Sequence, residues 1–311
     1  MKKGFIIAAF VALLLLMGTT FAASESGGLW DAYNKILKKS KYVDLTHAFN
    51  PTIPVWPGFG NAKFKPAVAG QEIKDYCTIG EPFDYKKHGF IATAYDLVTD
   101  QYGTQLDPPA HFYEYGATIS DLPATYSMRP LVVIDIHKKV EKDEGYHATI
   151  EDIRAWETKH GRIPEGSVVA IRSDWYKRWS QTKRFANAPF PGIKLDALKF
   201  LHLERKILFH GHEPLDTDTT PNMEGETWVL THNFCQAEGM ANLDKVPEAG
   251  ALILIGFAKP EGGTGGFARY IAVCPPGWKY GKSIEELPGA PLPKQPYANK
   301  RDKNGVLRPM P

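Results

Sequence analysis

The chain predicts an α/β domain, and three observations carry that expectation. Leu131–Ile136 is an apolar run interrupted only by Asp135, the mark of a strand covered on both faces, and Val168–Arg172 reads as another strand. Segments with helical caps or helical apolar spacing, such as 149–158, alternate with such runs. No stretch recurs at a fixed period, so a solenoid or propeller is not indicated.

The elements follow in order. Residues 24–41 place Leu29, Trp30, Tyr33, Ile36 and Leu37 at helical spacing and predict a short amphipathic helix. Tyr42–His47 reads as a strand that ends in a proline-punctuated loop, Pro51–Gly60. Ile91–Val98 is β-branched and apolar enough for another strand, which runs into a stiff polar turn. Beyond Leu131–Ile136, residues 149–158 predict a helix with Thr149 as N-cap and Glu151 and Asp152 in its first turn. Val168–Arg172 is a strand, Leu195–Leu203 a helix and Lys206–Phe209 a strand. His232–Asn242 is expected in a helix, and Ala251–Gly256 and Arg269–Val273 as strands.

Of the 311 residues, 43% are hydrophobic, enough for one large core, and residues 24–275 are read as one domain. Residues 276–311 are rich in proline, glycine and lysine without apolar period. They predict a C-terminal extension that wraps the surface or reaches a neighbouring subunit. A net charge of +2 offers no field for nucleic acid or an anionic membrane. At the N-terminus, Lys2 and Lys3 precede the apolar stretch Phe5–Met17, and Thr20–Ala23 supplies small residues. Residues 1–23 are therefore read as a cleaved secretory signal peptide. The expected location is periplasmic or secreted, with no membrane attachment after cleavage. Cys77, Cys235 and Cys274 lack metal-site spacing and read as buried small hydrophobes with at most one bridge.

The chemistry concentrates in Asp100–Phe112. Gln101, Gln105, Asp107 and His111 lie around Gly103 and the pair Pro108-Pro109. Pro108 pushes Asp107 toward an extended backbone, and Gly103 permits a left-handed turn or a close approach. Two amides, a carboxylate and an imidazole suit a divalent cation such as Mn²⁺ or Zn²⁺. A polar turn that satisfies its own backbone is the plainer alternative. In a second cluster, His210 and His212 face one side of an extended chain, near Glu213, Asp216 and Asp218. That cluster is either a metal site or a hydrogen-bonded strand end. In a third, Glu238 follows His232 by six residues, about 240° around a regular helix, so the two share no face. The glycine-rich run Gly262–Gly266 can hold an anion or a carbonyl oxygen on backbone N–H groups.

Together these segments resemble the cyclase-like metal-dependent hydrolase family, which includes kynurenine formamidase and isatin hydrolase. The family frame His-x-Gly-Thr-His-x-Asp-x-Pro-x-His appears as Gln101-Tyr-Gly103-Thr104-Gln105-Leu-Asp107-Pro-Pro109-Ala-His111. Asp44-Leu45-Thr46-His47, Glu238-Gly239-Met-Ala-Asn242-Leu243 and Gly263-Thr264-Gly265 with Arg269 match three further elements in order. The resemblance spans about residues 42–275 and implies a compact single domain of the swivelling β/β/α type that assembles as a dimer or larger homo-oligomer.

It also implies a metal-dependent hydrolase of a non-peptide C–N bond, in an amide, formamide or lactam, resembling an arylformamidase. By the same correspondence the metal falls to Gln101, Gln105 and Asp107, and the catalytic groups are His111 and Glu238; His212, from the second cluster, is the further candidate metal ligand. Where the family often has a histidine about twelve residues before the glutamate, this chain has Glu226; His232, His212 or Glu226 could compensate. Trp56, Phe112 and Trp175 are candidate walls for a flat small-molecule substrate, or ordinary core aromatics. The two glutamines shift the expected metal toward Mn²⁺ and away from a two-zinc site. A small-molecule binding protein without turnover and a lactone or ester hydrolase are the alternatives.

Overall fold

A computed structural model describes residues 28–287 and 289–311; the signal peptide expected at 1–23 lies outside them. Eight strands build the main sheet: β1 (Lys41–Asp44), β2 (Gln105–Asp107), β3 (Met128–Asp135), β4 (Val168–Arg172), β5 (Phe209–His212), β6 (Cys235–Glu238), β7 (Ala251–Phe257) and β8 (Gly266–Cys274). Their order is β1-β8-β7-β3-β4-β5-β6-β2, and β2 also pairs with β8. Seven strands thus close into a barrel. β1 and β2 pair with different halves of β8, β1 at residues 271–274 and β2 at 266–267. The run β3-β4-β5-β6 is parallel, and all other pairings are antiparallel.

Of the parallel strands, β3 and β4 read as apolar runs because both their faces are buried. Leu131, Val133, Val168, Ala170 and Phe209 join one core cluster. Val132, Ile134, Val169 and Ile171 join a second, formed with the helices α1 (Ile150–His160), α2 (Leu195–Lys199) and α3 (Glu224–Thr231). α1 begins as its sequence indicates: Thr149 and Asp152 form a reciprocal capping box.

Register carries this second face across the sheet. Val132, Val169, His210, Gln236 and Asp107 are successive cross-strand partners. The row is apolar under the helices and becomes polar at β5, β6 and β2. This change of character along one row places the site.

Several expectations shift. Residues 232–242 are not a helix. The helix ends at Thr231, and Cys235–Glu238 is a strand buried on both faces. Cys235-Gln236-Ala237-Glu238 does alternate apolar and polar residues, but the run is only four residues long, too short to announce a strand. The strand expected at 206–209 lies at Phe209–His212. The strand expected at 91–98 is confined to Thr93–Asp96, and it pairs with Lys63–Pro66 rather than joining the barrel. The chain end forms a hairpin of Asn299–Arg301 with Leu307–Pro309. Arg301 donates to the Ala92 carbonyl and the Thr93 hydroxyl, tying that hairpin to the 93–96 strand. The three cysteines are buried and unpaired.

Candidate metal centre and substrate cavity

Asp107 ends β2, and Glu238 ends the antiparallel neighbour β6. Glu226 reaches them from α3. That helix is aimed by Asp218, whose Oδ2 accepts from the amides of Gly225 (2.8 Å) and Glu226 (3.3 Å). Gly225 fits because a Cβ there would meet Leu198 Cδ1 at 2.7 Å and Asp218 Oδ2 at 2.9 Å. The outcome is a set of three carboxylates, each offering an oxygen within 4.8 Å of the others. All are buried, at 0%, 2% and 3% exposure for Asp107, Glu226 and Glu238.

Two amides lie between the carboxylates. Gln105 Nε2 donates to Asp107 Oδ1 (3.2 Å) and Glu238 Oε2 (3.0 Å). Gln236 Nε2 donates to Glu238 Oε1 (2.9 Å) and Asp107 Oδ2 (3.4 Å). These bonds offset only part of the cost of burying like charges. Burial raises the Asp107 carboxyl to about 7, against the lowering effect of both glutamines. Burial, then neighbouring acids, push Glu226 and Glu238 well above the carboxylate range. A divalent cation among the three would relieve that repulsion. An all-oxygen donor set of this kind suits a hard ion.

Behind the amides stands a hydroxyl hub. Thr217 Oγ1 is 2.9 Å from Gln236 Oε1, 2.8 Å from His212 Nε2 and 3.1 Å from His210 Nε2. The Thr217 amide donates to Glu226 Oε2 at 3.4 Å. Burial holds His212 at about 4 and His210 well below its usual value, so both rings are neutral.

A cavity of about 190 Å³ opens over the acids. Glu226 and Glu238 line it with Gln101, Gln105 and Asp216, and His111 and Phe112 form part of its wall. Trp56 and Phe59 contribute from the loop after β1. Burial lowers the His111 ring to about 4, leaving it neutral and able to accept a proton.

The putative cyclase family model matches residues 43–219. An isatin hydrolase of Roseibium aggregatum is 31% identical over 251 residues, which cover 75% of this chain and 91% of that protein. The chain belongs to the cyclase family. Among solved structures, an isatin hydrolase bound to the product analogue thioisatinate superposes with a TM-score of 0.68 at 26% identity, covering 82% of this chain and 100% of that one. Isatin hydrolase A from Labrenzia aggregata, bound to benzyl benzoate, gives 0.67 at 25% identity, over 79% of this chain and 97% of that one.

Within this cyclase-family chain, the residues singled out from sequence divide. Gln101, Gln105, Asp107, His111 and Glu238 do converge, but Gln105 turns its amide nitrogen, not its oxygen, to the acids. Gln105 donates, and Gln101 Nε2 is held by the Thr264 carbonyl at 3.0 Å. The glycine-rich turn does bind an anion, one from its own chain: Asp100 Oδ2 accepts from the Thr264 and Gly265 amides at 2.8 and 2.9 Å. His212, expected as a metal ligand, sits behind the acids. Its Nδ1 is 3.1 Å from the Pro214 carbonyl, and its Nε2 is 3.7 Å from Glu238 Oε1. His232 is exposed, with Nδ1 2.7 Å from the Trp228 carbonyl.

Trp175 is not a cavity wall. It is 1% exposed, its Nε1 donates to the Phe185 carbonyl, and the Arg178 and Arg184 guanidinium carbons lie 4.5 and 4.6 Å from its ring. Such a tryptophan is a packing anchor. Trp56 and Phe112 do line the cavity. Sequence reasoning missed Gln236 and Thr217 and left Glu226 as one option of three. The spacing Gln236-x-Glu238 was the available signal, once residues 235–238 are known to be extended.

Proposed function

We propose that this protein hydrolyses the C–N bond of a small, flat amide, formamide or lactam, with a divalent metal as cofactor. One observation carries the reading: three buried carboxylates converge at the floor of an aromatic-walled cavity that also holds a neutral histidine. The likeness to isatin hydrolases over most of the chain supports the C–N bond as the target.

Asp107, Glu226 and Glu238 would hold the metal. When bound there, a divalent ion supplies an acidified water and a polarised substrate carbonyl. The protein's own groups do the rest. His111 accepts the proton of the attacking water at a ring nitrogen and returns it to the departing nitrogen. Gln105 and Gln236 fix the carboxylates by N–H donation. Trp56, Phe59 and Phe112 position a planar substrate and exclude water. The oxygen-rich donor set favours Mn²⁺ over Zn²⁺. On the sequence of residues 1–23, we place this activity outside the cytoplasm.

The test is turnover by protein purified without chelator and supplied separately with Mn²⁺ and Zn²⁺. The panel holds isatin-type lactams, formanilides and lactones. Metal-dependent opening of a lactam or formanilide, reversed by chelation, is expected. Absence of both bound metal and turnover would refute the reading and favour a binding protein.

A further inference from the structure

The cavity holds one acid that the metal centre does not use. Asp216 lines it but is not one of the three converging carboxylates. The other acids around it have donors. Asp107 and Glu238 each receive two amide N–H groups, Glu226 the Thr217 amide, and Asp218 caps α3. Among the described residues, none donates to the Asp216 carboxylate.

Two further features of the cavity bear on what would fill that vacancy of donors. Among the described residues that line it there is no lysine or arginine. Away from the metal, a substrate carboxylate would find no cationic side chain to pair with and would face Asp216. Secondly, Trp56 and Phe59 line the same cavity, 43% and 39% exposed, with ring centroids 5.2 Å apart at 60°. Aromatic rings and an unpaired carboxylate lining one cavity are the surroundings that attract an organic cation.

We infer that the substrate is an aryl amide or lactam bearing a basic, positively charged nitrogen remote from the scissile bond, and that Asp216 selects it. The inference rests on the hydrolase reading for the bond cleaved, but the recognition stands on the cavity alone. Asp216 is then a specificity residue: it pairs with the substrate's ammonium while the bond to be broken lies over Asp107, Glu226 and Glu238. Trp56 and Phe59 cover the cation from the solvent side.

The test is binding without turnover. Benzyltrimethylammonium and benzyl alcohol are titrated into the Mn²⁺-supplied protein by calorimetry. The cation is expected to bind at least about tenfold more tightly than the alcohol. In Asp216→Asn that ratio should fall below about threefold. Trp56→Leu, at an exposed side chain, should reduce it as well, and it decides the matter if Asp216→Asn fails the circular-dichroism check for folding. A ratio near one in the wild type, or one unchanged in the folded variants, overturns the inference. Because no bond is broken in this experiment, its failure is separable from that of the hydrolase reading. Turnover of neutral lactams without cation preference would sink the inference alone, and cation preference without any amide hydrolysis would sink the hydrolase reading alone.

Discussion

Gln105 Nε2 sits 3.0 Å from Glu238 Oε2 and donates a hydrogen bond where the family resemblance implies a metal-binding imidazole. The same nitrogen reaches Asp107, so the amide acts as a neutral brace between two acids. Replacing it tests what the brace does. Gln105→His puts a softer nitrogen donor at the acids. We expect Zn²⁺ to gain on Mn²⁺ by about tenfold or more in chelator competition. An unchanged ratio would mean that residue 105 does not reach the metal.

Glu226→Gln should act with opposite signs on two quantities. Metal affinity should fall at least about a hundredfold, as expected for a ligand when its supporting partners alone are worth about 10–100-fold. The metal-free protein should become more stable by on the order of 1–3 kcal/mol, because one of three crowded acids has been neutralised. Equilibrium dialysis and urea unfolding read the two. Loss of stability together with loss of metal would point to a purely structural glutamate.

His111→Ala should lower kcat by about 10²–10⁴ while bound metal is retained. Burial holds this ring at about 4. In the wild type, no rate inflection from His111 is therefore expected near pH 6.5. Its protonation should cut activity only as the pH falls toward about 4. An inflection near 6.5 that vanishes in His111→Ala would show that the ring is solvated during turnover.

Glu213 gives a pH test away from the acids. It is fully buried, Ser173 Oγ and the Tyr176 amide donate to its Oε2, and burial raises it to about 8. The folded value exceeds the unfolded one, so the protonated group stabilises the fold fully below about pH 4.5. That contribution is lost as pH rises through about 8. The stability of wild type relative to Glu213→Gln should decline across this window, by at most about 1.4 kcal/mol per pH unit. Denaturant unfolding from pH 5 to 8 checks it, and a flat difference would contradict the buried, protonated state.

Trp175→Ala should cost about 3–5 kcal/mol of stability. Under conditions where the variant is folded, KM should stay near the wild-type value. A raised KM with intact stability would return Trp175 to the substrate wall.

The first two parallel strands, β3 and β4, were legible because burial on two faces leaves an apolar run, as at Val168–Ile171. The family frame from Gln101 to His111 was legible because the metal chemistry and the turn geometry both mark it. Two features hid the remainder. β2 is three residues long and takes its pairing from β6 and β8, so no local pattern announces it. Glu226 lies 119 positions after Asp107, and only the capping of α3 by Asp218 aims it. The reading of 232–242 as a helix failed for a related reason: the alternation Cys235-Gln236-Ala237-Glu238 runs for only four residues, too few to outweigh the helical reading of the longer segment. Trp175 carries no sequence mark that separates a packing anchor from a ligand wall.

The three residues that carry Asp107 also join the two ends of the ring of strands, for β2 is hydrogen-bonded to β6 on one side and to β8 on the other. Electrostatic strain in the centre therefore bears on the seam of the barrel. An ion that quiets the acids would fasten that seam, and its binding energy would be drawn partly as resistance to unzipping. Catalytic readiness and mechanical closure would then be lost or gained together.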